Sequence, residues 1–356
     1  MGLAAYSLSN NGPFSEQIAL NFVPIFSVLY GINMYFQSFG AVAIVKCNAP
    51  WFHVRERGVF GAIFGILISL GIYFAFDLGG LIIEHIGVSQ VFFIPACLLA
   101  LFWIIDHRIV RNTPGEAGFA DFDTADASSG DDGPQLGAIE VFKKMLTNPI
   151  ILTIAAIEFC SGFIRNAPMH WYRSFARQTD ANLHLLGDVI YDHWGMWLCI
   201  AGIVGGTLAG VISDRVFQSR RGPVAAILYG GVILGSIGLL LSINTPAMVI
   251  GKSSVSIPGV IAILISMCVI GVHGMLSGTA SMDFGGKKNV GIVVGIIDGF
   301  VYLGTGVMSL TYAAVLPAAE LGPDNTFIGP STQPENWTPW PMSMIVYVSA
   351  CLRFVL

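Results

Sequence analysis

Apolar positions along this chain come in long unbroken runs. They show neither the alternation of half-buried strands nor the one-sided stripe of soluble helices. Such runs fall at residues 17–46, 58–83, 89–106, 147–171, 190–212, 222–243, 256–281, 289–316 and 339–356. A helix needs about 20 apolar residues to cross a hydrocarbon layer, so nine spans are predicted. Because lipid offers the backbone no hydrogen-bond partner, helices satisfy the peptide groups of such runs internally. The expected fold class is therefore an all-α integral membrane bundle. The last run stops at Leu356 without a polar flank, and an odd number of spans suggests a cut at the front as well.

Composition agrees with this pattern. Hydrophobic residues make up 54% of the chain and charged residues 11%, with a mean hydropathy of +0.72; a soluble domain carries about 25% charged residues. The charges are sorted by loop. Twelve of the 17 lysines and arginines, from Lys46, Arg55 and Arg57 to Lys287 and Lys288, fall on one side, and only Arg173, Arg177 and Lys252 on the other. Basic loops stay in the cytoplasm, which places Met1 outside and the segment after His107 inside.

That segment holds six acids between Asn112 and Ala138 and no lysine or arginine. With its Gly, Ser and Pro it reads as a disordered or loosely ordered linker. The chain then divides into residues 1–108 with three spans, a cytoplasmic acidic linker at 109–146, and residues 147–356 with six spans. Gly202, Gly206 and Gly210, and again Gly291, Gly295 and Gly299, form small-residue stripes of the kind that lets membrane helices approach closely. The six cysteines and seven histidines are scattered without metal-ligand spacing. No metal, cofactor or nucleic acid is expected.

One span carries the chemistry. Ile150 to Trp171 contains Arg165 in its second half, and an arginine in hydrocarbon costs about 2.5–3.5 kcal/mol on insertion scales. Such a residue faces a protein interior or a watery cavity, where it marks a path for an anion. The alternative is that it snorkels to the surface, for which Trp171 and Tyr172 would form an interfacial belt. Glu158 lies seven residues earlier on the same face, about 10 Å away, and serves either as an ion-pair partner or as a proton acceptor. Asp298 and Tyr302 are four apart on one face of a glycine-rich span. Asp77 lies in the outer half of its span, within reach of the headgroups.

Two sets of motifs resemble a known family. The stretch Gly210 to Gly222, GVISDRVFQSRRG, resembles the cytoplasmic loop motif of the major facilitator superfamily. Asp214, Arg215, Arg220 and Arg221 would form a cytoplasmic gate there, with the cations near helix C-termini where the dipole favours them. A finer match is to the organophosphate:phosphate antiporters, the branch of the glycerol-3-phosphate and hexose-phosphate transporters. Trp51–Gly58, Asn112–Pro114 with Gly118, Phe163–Asn166, Lys287–Lys288 and Gly295–Gly304 follow that branch in order.

The resemblance implies that the nine spans are helices four to twelve of twelve. It also implies a substrate phosphate held between two arginines, of which Arg165 matches the second. Gln37 matches a position near the site and Tyr302 an aromatic that faces it. The sequence departs from the branch at Ile68, where the glycerol-3-phosphate transporter has a histidine, and at His170, where it has an acid.

The implied function is exchange of a phosphorylated organic anion for inorganic phosphate across a cytoplasmic membrane, by rocking of two halves around the site. A monomer in the bilayer is expected. Two alternatives remain open: proton-coupled uptake of a carboxylate or other organic anion with Glu158 or Asp298 as carrier, and a sugar-phosphate sensor that binds without transport. No nucleophile–base pair suggests an enzyme.

Overall fold

The computed structural model describes residues 1–53, 57–125, 138–218, 221–251, 253–276 and 281–355. The chain opens with α1 (Gly2–Ser9) and α2 (Ser15–Leu20), then α3 (Phe22–Asn48). The second run becomes α4 (Arg57–Tyr73), a π-helical turn at Phe74–Leu78 and α5 (Gly79–His85); the third is α6 (Gln90–Ile109). After the linker come α7 (Ala138–Leu146), α8 (Pro149–Leu183), α9 (Val189–Asp192) and α10 (Trp194–Val211). The rest is α11 (Arg221–Ser242), the hairpin β1–β2 (Met248–Ile250, Ser253–Val255), α12 (Ile257–His273), α13 (Ser281–Val315), the short pair β3–β4 (Glu320–Leu321, Phe327–Ile328) and α14 (Pro339–Val355).

Eight helical stretches among the described residues are long and apolar enough to cross a membrane. The ninth predicted span, α14, has 17 residues and sits at the lower edge of that range. The all-α membrane bundle is the fold.

The largest departure from expectation is α8. It runs 35 residues, twelve past the predicted end at Trp171. Pro149 opens it at a position where a missing amide costs nothing, and the Asn148 side chain accepts from the Ile150 amide at 2.9 Å. It closes on His184 at φ 52, whose amide reaches the Asp180 carbonyl at 2.8 Å. Pro168 lies inside and cannot donate to the Ile164 carbonyl. Neighbouring groups steady this stretch: the Trp340 indole donates to the Ala167 carbonyl and the Trp194 indole to the Met169 carbonyl, each at 3.1 Å.

The expected belt at Trp171 and Tyr172 is not one. Tyr172 is fully buried, and its hydroxyl meets Asp188 at 3.2 Å and Ser256 at 2.7 Å. Asp188 is itself fully buried; Ser256 donates to it at 2.5 Å and the Ile190 amide at 3.1 Å. A buried carboxylate persists only when donors surround it in this way. Trp171 stacks edge-on against Tyr312 within an aromatic core that includes Phe163, Phe175, Trp337 and Trp340.

Close packing runs through glycines, of which only Gly202 belongs to the predicted stripes. A Cβ at Gly162 would collide with the Val301 carbonyl, and one at Gly304 with the Phe159 carbonyl, so α8 and α13 touch backbone to backbone. Gly205 meets Met267 of α12 in the same manner, and Gly202 meets Ser69 of α4. Gly206, Gly210, Gly295 and Gly299 have nothing within 4 Å of an added Cβ. The seam of α10 uses a three-residue step, 202 to 205, to face two neighbours at once, and the four-residue repeat points away.

Among the described residues the helices before the linker meet those after it chiefly where α3 packs on α13 and α4 on α10. The second contact ends in a specific bond pair. The π-turn carries Asp77, whose carboxylate accepts the Gly195 amide at 2.9 Å and the Met196 amide at 2.7 Å. These are unpaired amides of the first turn of α10, where a negative charge is favoured. Asp77 therefore docks on a helix N-terminus instead of reaching headgroups.

The linker is partly ordered. The Glu116 carboxylate accepts the Asn112 amide at 2.8 Å, the Thr113 hydroxyl accepts the Glu116 amide at 3.2 Å, and Asp121 accepts the Gly115 amide at 2.9 Å. Residues 126–137 lie outside the described region. Where the sequence reading had only linker, α7 supplies an amphipathic helix before α8.

The α8–α13 contact generates a first prediction. Replacing Gly304 by Val should cost about 1–3 kcal/mol through overpacking and lower the thermal midpoint in detergent. Gly306→Ala, where an added Cβ meets nothing within 4 Å, should leave the midpoint unchanged; equal effects would show that the seam is not close-packed.

Candidate functional site

Arg165 lies 16 residues after Pro149 and 18 before Leu183 in α8. Either end is about 24–27 Å away along the axis, so the side chain does not reach past a helix end. The residue instead lines a cavity of about 400 Å³ between helices from both sides of the linker. Gly40 and Ile44 of α3 and Gly65, Ile68 and Ile72 of α4 form one wall. Arg165 and Met169 of α8, Ile270, His273 and Gly274 at the end of α12, and Asp298, Val301 and Tyr302 of α13 form the other.

Three of the four predicted substrate contacts, Arg165, Asp298 and Tyr302, thus share one cavity. The pairs Asp298–Tyr302 and Arg165–Met169 each sit at the i,i+4 spacing that puts side chains on one helix face. Gln37 is exposed and does not belong to this lining. It lies seven residues before Ile44, on the same stripe of α3 and two turns along the axis. Ile68 faces the cavity, so the departure from the branch's histidine falls in the site itself.

Behind Arg165 is a feature that spacing could not reveal. Glu158 is fully buried, and its carboxylate meets His273 Nδ1 at 2.8 Å. The second carboxylate oxygen, Oε1, has no hydrogen-bond partner among the described residues, nor does Arg165 Nε. Arg165 and Asp298 line the same cavity as His273. His273 therefore joins a buried acid, the cavity and two charges. The sequence contained one usable signal for it: a histidine inside an otherwise apolar span.

His170 sits one turn past Asn166, with its Nε2 3.1 Å from the side-chain Oδ1 of Asn166. The Asn166 amide in turn donates to Gly162 O at 2.9 Å and Thr305 Oγ1 at 2.7 Å. This ties the Arg165 turn of α8 to α13, so the guanidinium rises from a braced backbone. In the expected gate, Arg215 is exposed on the π-turn Ile212–Val216 that ends α10. Arg220 and the side chains of Asp214 and Arg221 lie outside the described residues. Among the described residues no group of His, Cys, Asp and Glu could hold a metal ion.

A helical bundle with an arginine-bearing cavity between two groups of spans is the architecture of a polytopic membrane protein. The chain belongs to the Major Facilitator Superfamily, whose family model matches residues 1–309. It is 27% identical over 297 residues to the glycerol-3-phosphate transporter of Bacillus subtilis, covering 79% of this chain and 62% of the relative. Over 304 residues it is 25% identical to a probable hexose phosphate transport protein of Chlamydia muridarum, with the same coverage. The membrane sensor protein UhpC of Escherichia coli is 24% identical over 307 residues, 82% of this chain and 65% of the relative. The chain thus spans a little under two thirds of the length of these relatives, which are those of the organophosphate branch.

The lining can be mapped chemically. In a background without the native cysteines, Tyr302→Cys should react with a hydrophilic maleimide, and Ile297→Cys, at a fully buried position, should not. Equal labelling of both would place Tyr302 away from an open cavity.

Proposed function

We propose that the protein moves a phosphorylated organic anion across the membrane in exchange for inorganic phosphate, with Arg165 holding the phosphoryl group. The observation that carries this reading is a mid-helix arginine lining a cavity between the two groups of helices, with Nε free of any hydrogen-bond partner among the described residues. A guanidinium suits the task because its planar fork binds two phosphate oxygens at once and keeps its charge when desolvated. Tyr302 and Asp298 would meet the organic part, the carboxylate accepting from hydroxyls. Gln37 would approach from the α3 side when the helices rock, and Asp214, Arg215, Arg220 and Arg221 would close the cytoplasmic end.

The similarity to a glycerol-3-phosphate transporter and a probable hexose phosphate transport protein supports the substrate class. The proposed setting is a cytoplasmic membrane, with the linker inside and the protein working as a monomer.

The test is phosphate exchange in proteoliposomes. Truncating a charge in a desolvated pair costs about 2–5 kcal/mol, so Arg165→Ala should reduce exchange roughly thirtyfold or more. Arg165→Lys keeps the charge without the fork and should fall between Arg165→Ala and the native protein. Exchange that is unaffected by Arg165→Ala would be fatal to this reading.

A second reading has its own observation, the buried Glu158–His273 pair behind Arg165. Such a pair can hold or release a proton, and would make transport proton-coupled. An imposed pH gradient should then drive accumulation without counter-substrate, and Glu158→Gln should abolish that drive. Strict dependence on internal phosphate at every pH would exclude it. UhpC, named as a membrane sensor, keeps binding without flux as the outcome to expect if neither assay registers transport.

A further inference from the structure

Basic residues are sparse on the side of the membrane remote from the linker, and two of the three there, Arg173 and Arg177, lie on one face of α8. With His170, Ser174 and Gln178 they line a second cavity of about 370 Å³, closed by Phe76 of the π-turn and Phe327 of β4. Met169 lines the cavity of Arg165 and the next residue, His170, lines this one, so the two cavities meet α8 at consecutive residues. Arg173 and Arg177 stand about 12 and 18 Å beyond Arg165 along the helix axis.

Among the described residues no carboxylate lies within ion-pairing distance of Arg173 or Arg177. Each is steadied by a ring instead: the Arg173 guanidinium lies 4.9 Å from the centre of Tyr191, and that of Arg177 lies 5.9 Å from the centre of Phe327. Cation–π contact holds the group in place and leaves its N–H edge free for an anion. Two acids on neighbouring turns are committed elsewhere. Asp77, next to Phe76, is bound to two α10 amides, and Asp180 accepts the Leu186 amide at 2.7 Å. Gln178 is 7% exposed; its amide nitrogen donates to Ser174 at 2.9 Å, while its buried oxygen has no donor among the described residues. An unpaired buried acceptor costs about 1–3 kcal/mol, and a ligand hydroxyl would satisfy it.

We propose that this cavity is a second anion site, an outer vestibule that takes a hydroxylated organic anion, phosphorylated in the present case, through Arg173 and Arg177 before it passes to Arg165. The inference rests on the reading of Arg165 as the inner anion site. Two cations on an open cavity wall raise the local anion concentration. A site formed at a partly exposed surface binds weakly and is screened by salt, which suits a station that must release its ligand inward. The ladder Arg165, His170, Arg173, Arg177 then provides a path along a single helix.

The experiment measures binding of radiolabelled inorganic phosphate to the full-length protein in detergent, at low and high salt. Arg165→Ala should remove the tighter binding and leave a weaker, salt-sensitive component. Adding R173Q and R177Q to Arg165→Ala should abolish that component, whereas R173K with R177K should retain it, separating charge from packing. In the otherwise native protein, R173Q/R177Q should raise the KM for uptake from the outer side severalfold with little change at saturating substrate. The proposal is overturned if Arg165→Ala protein binds no phosphate, or if the triple variant binds it as well as Arg165→Ala does. Failure of the inner-site reading looks different: native protein would bind no more tightly than Arg165→Ala, with all binding lost on replacing Arg173 and Arg177.

Discussion

A guanidinium in the middle of a membrane helix is tolerable only where protein and water replace lipid around it. Arg165 imposes this constraint, and much of the surrounding architecture answers it. A cavity must exist at its level, bounded by helices close enough to exclude lipid. The α8–α13 seam supplies that closeness, because Gly162 and Gly304 let two backbones touch in the turns of α8 just before Arg165. Asn166 and Thr305 then bridge the same two helices with polar bonds. Position and chemistry are therefore coupled: the glycines set the spacing, and the spacing holds the charge.

The same economy governs the other buried polar groups. Asp188 sits fully buried at the junction of α8, α9 and α12 and is satisfied by Tyr172, Ser256 and a backbone amide. Glu158 differs from it, having one neighbour at 2.8 Å and one oxygen without a partner among the described residues. A fully bonded carboxylate fixes structure, while a half-bonded one retains the capacity to change state. Both kinds sit where α8 meets α12: Glu158 beside His273, and Asp188 beside Tyr172 and Ser256.

Much of this was legible in the sequence, for definite reasons. Span positions follow from apolar run length, which lipid enforces without regard to tertiary detail. Arg165, Asp298 and Tyr302 could be singled out because polar side chains in such runs are rare and helical spacing gives their faces. Other features depend on which helix lies opposite, and no local pattern encodes that. Tyr172 looked interfacial because α8 continues twelve residues beyond the point where polarity rises. Gly206, Gly210, Gly295 and Gly299 have the textural repeat of a packing face yet point to open space, whereas Gly162, Gly205 and Gly304 carry the contacts. The meeting of Glu158 with His273, 115 residues apart, was beyond any motif.

The docking of Asp77 on the α10 N-terminus has a consequence for the balance between arrangements of this molecule. It is the bond pair at the α4–α10 junction that joins the helices before the linker to those after it. Any arrangement that parts them there gives up two hydrogen bonds to a charged acceptor, at about 1.5–3 kcal/mol each. Since every 1.4 kcal/mol is about a factor of ten in an equilibrium, one carboxylate on one helical bulge can decide which arrangement an empty molecule occupies at rest.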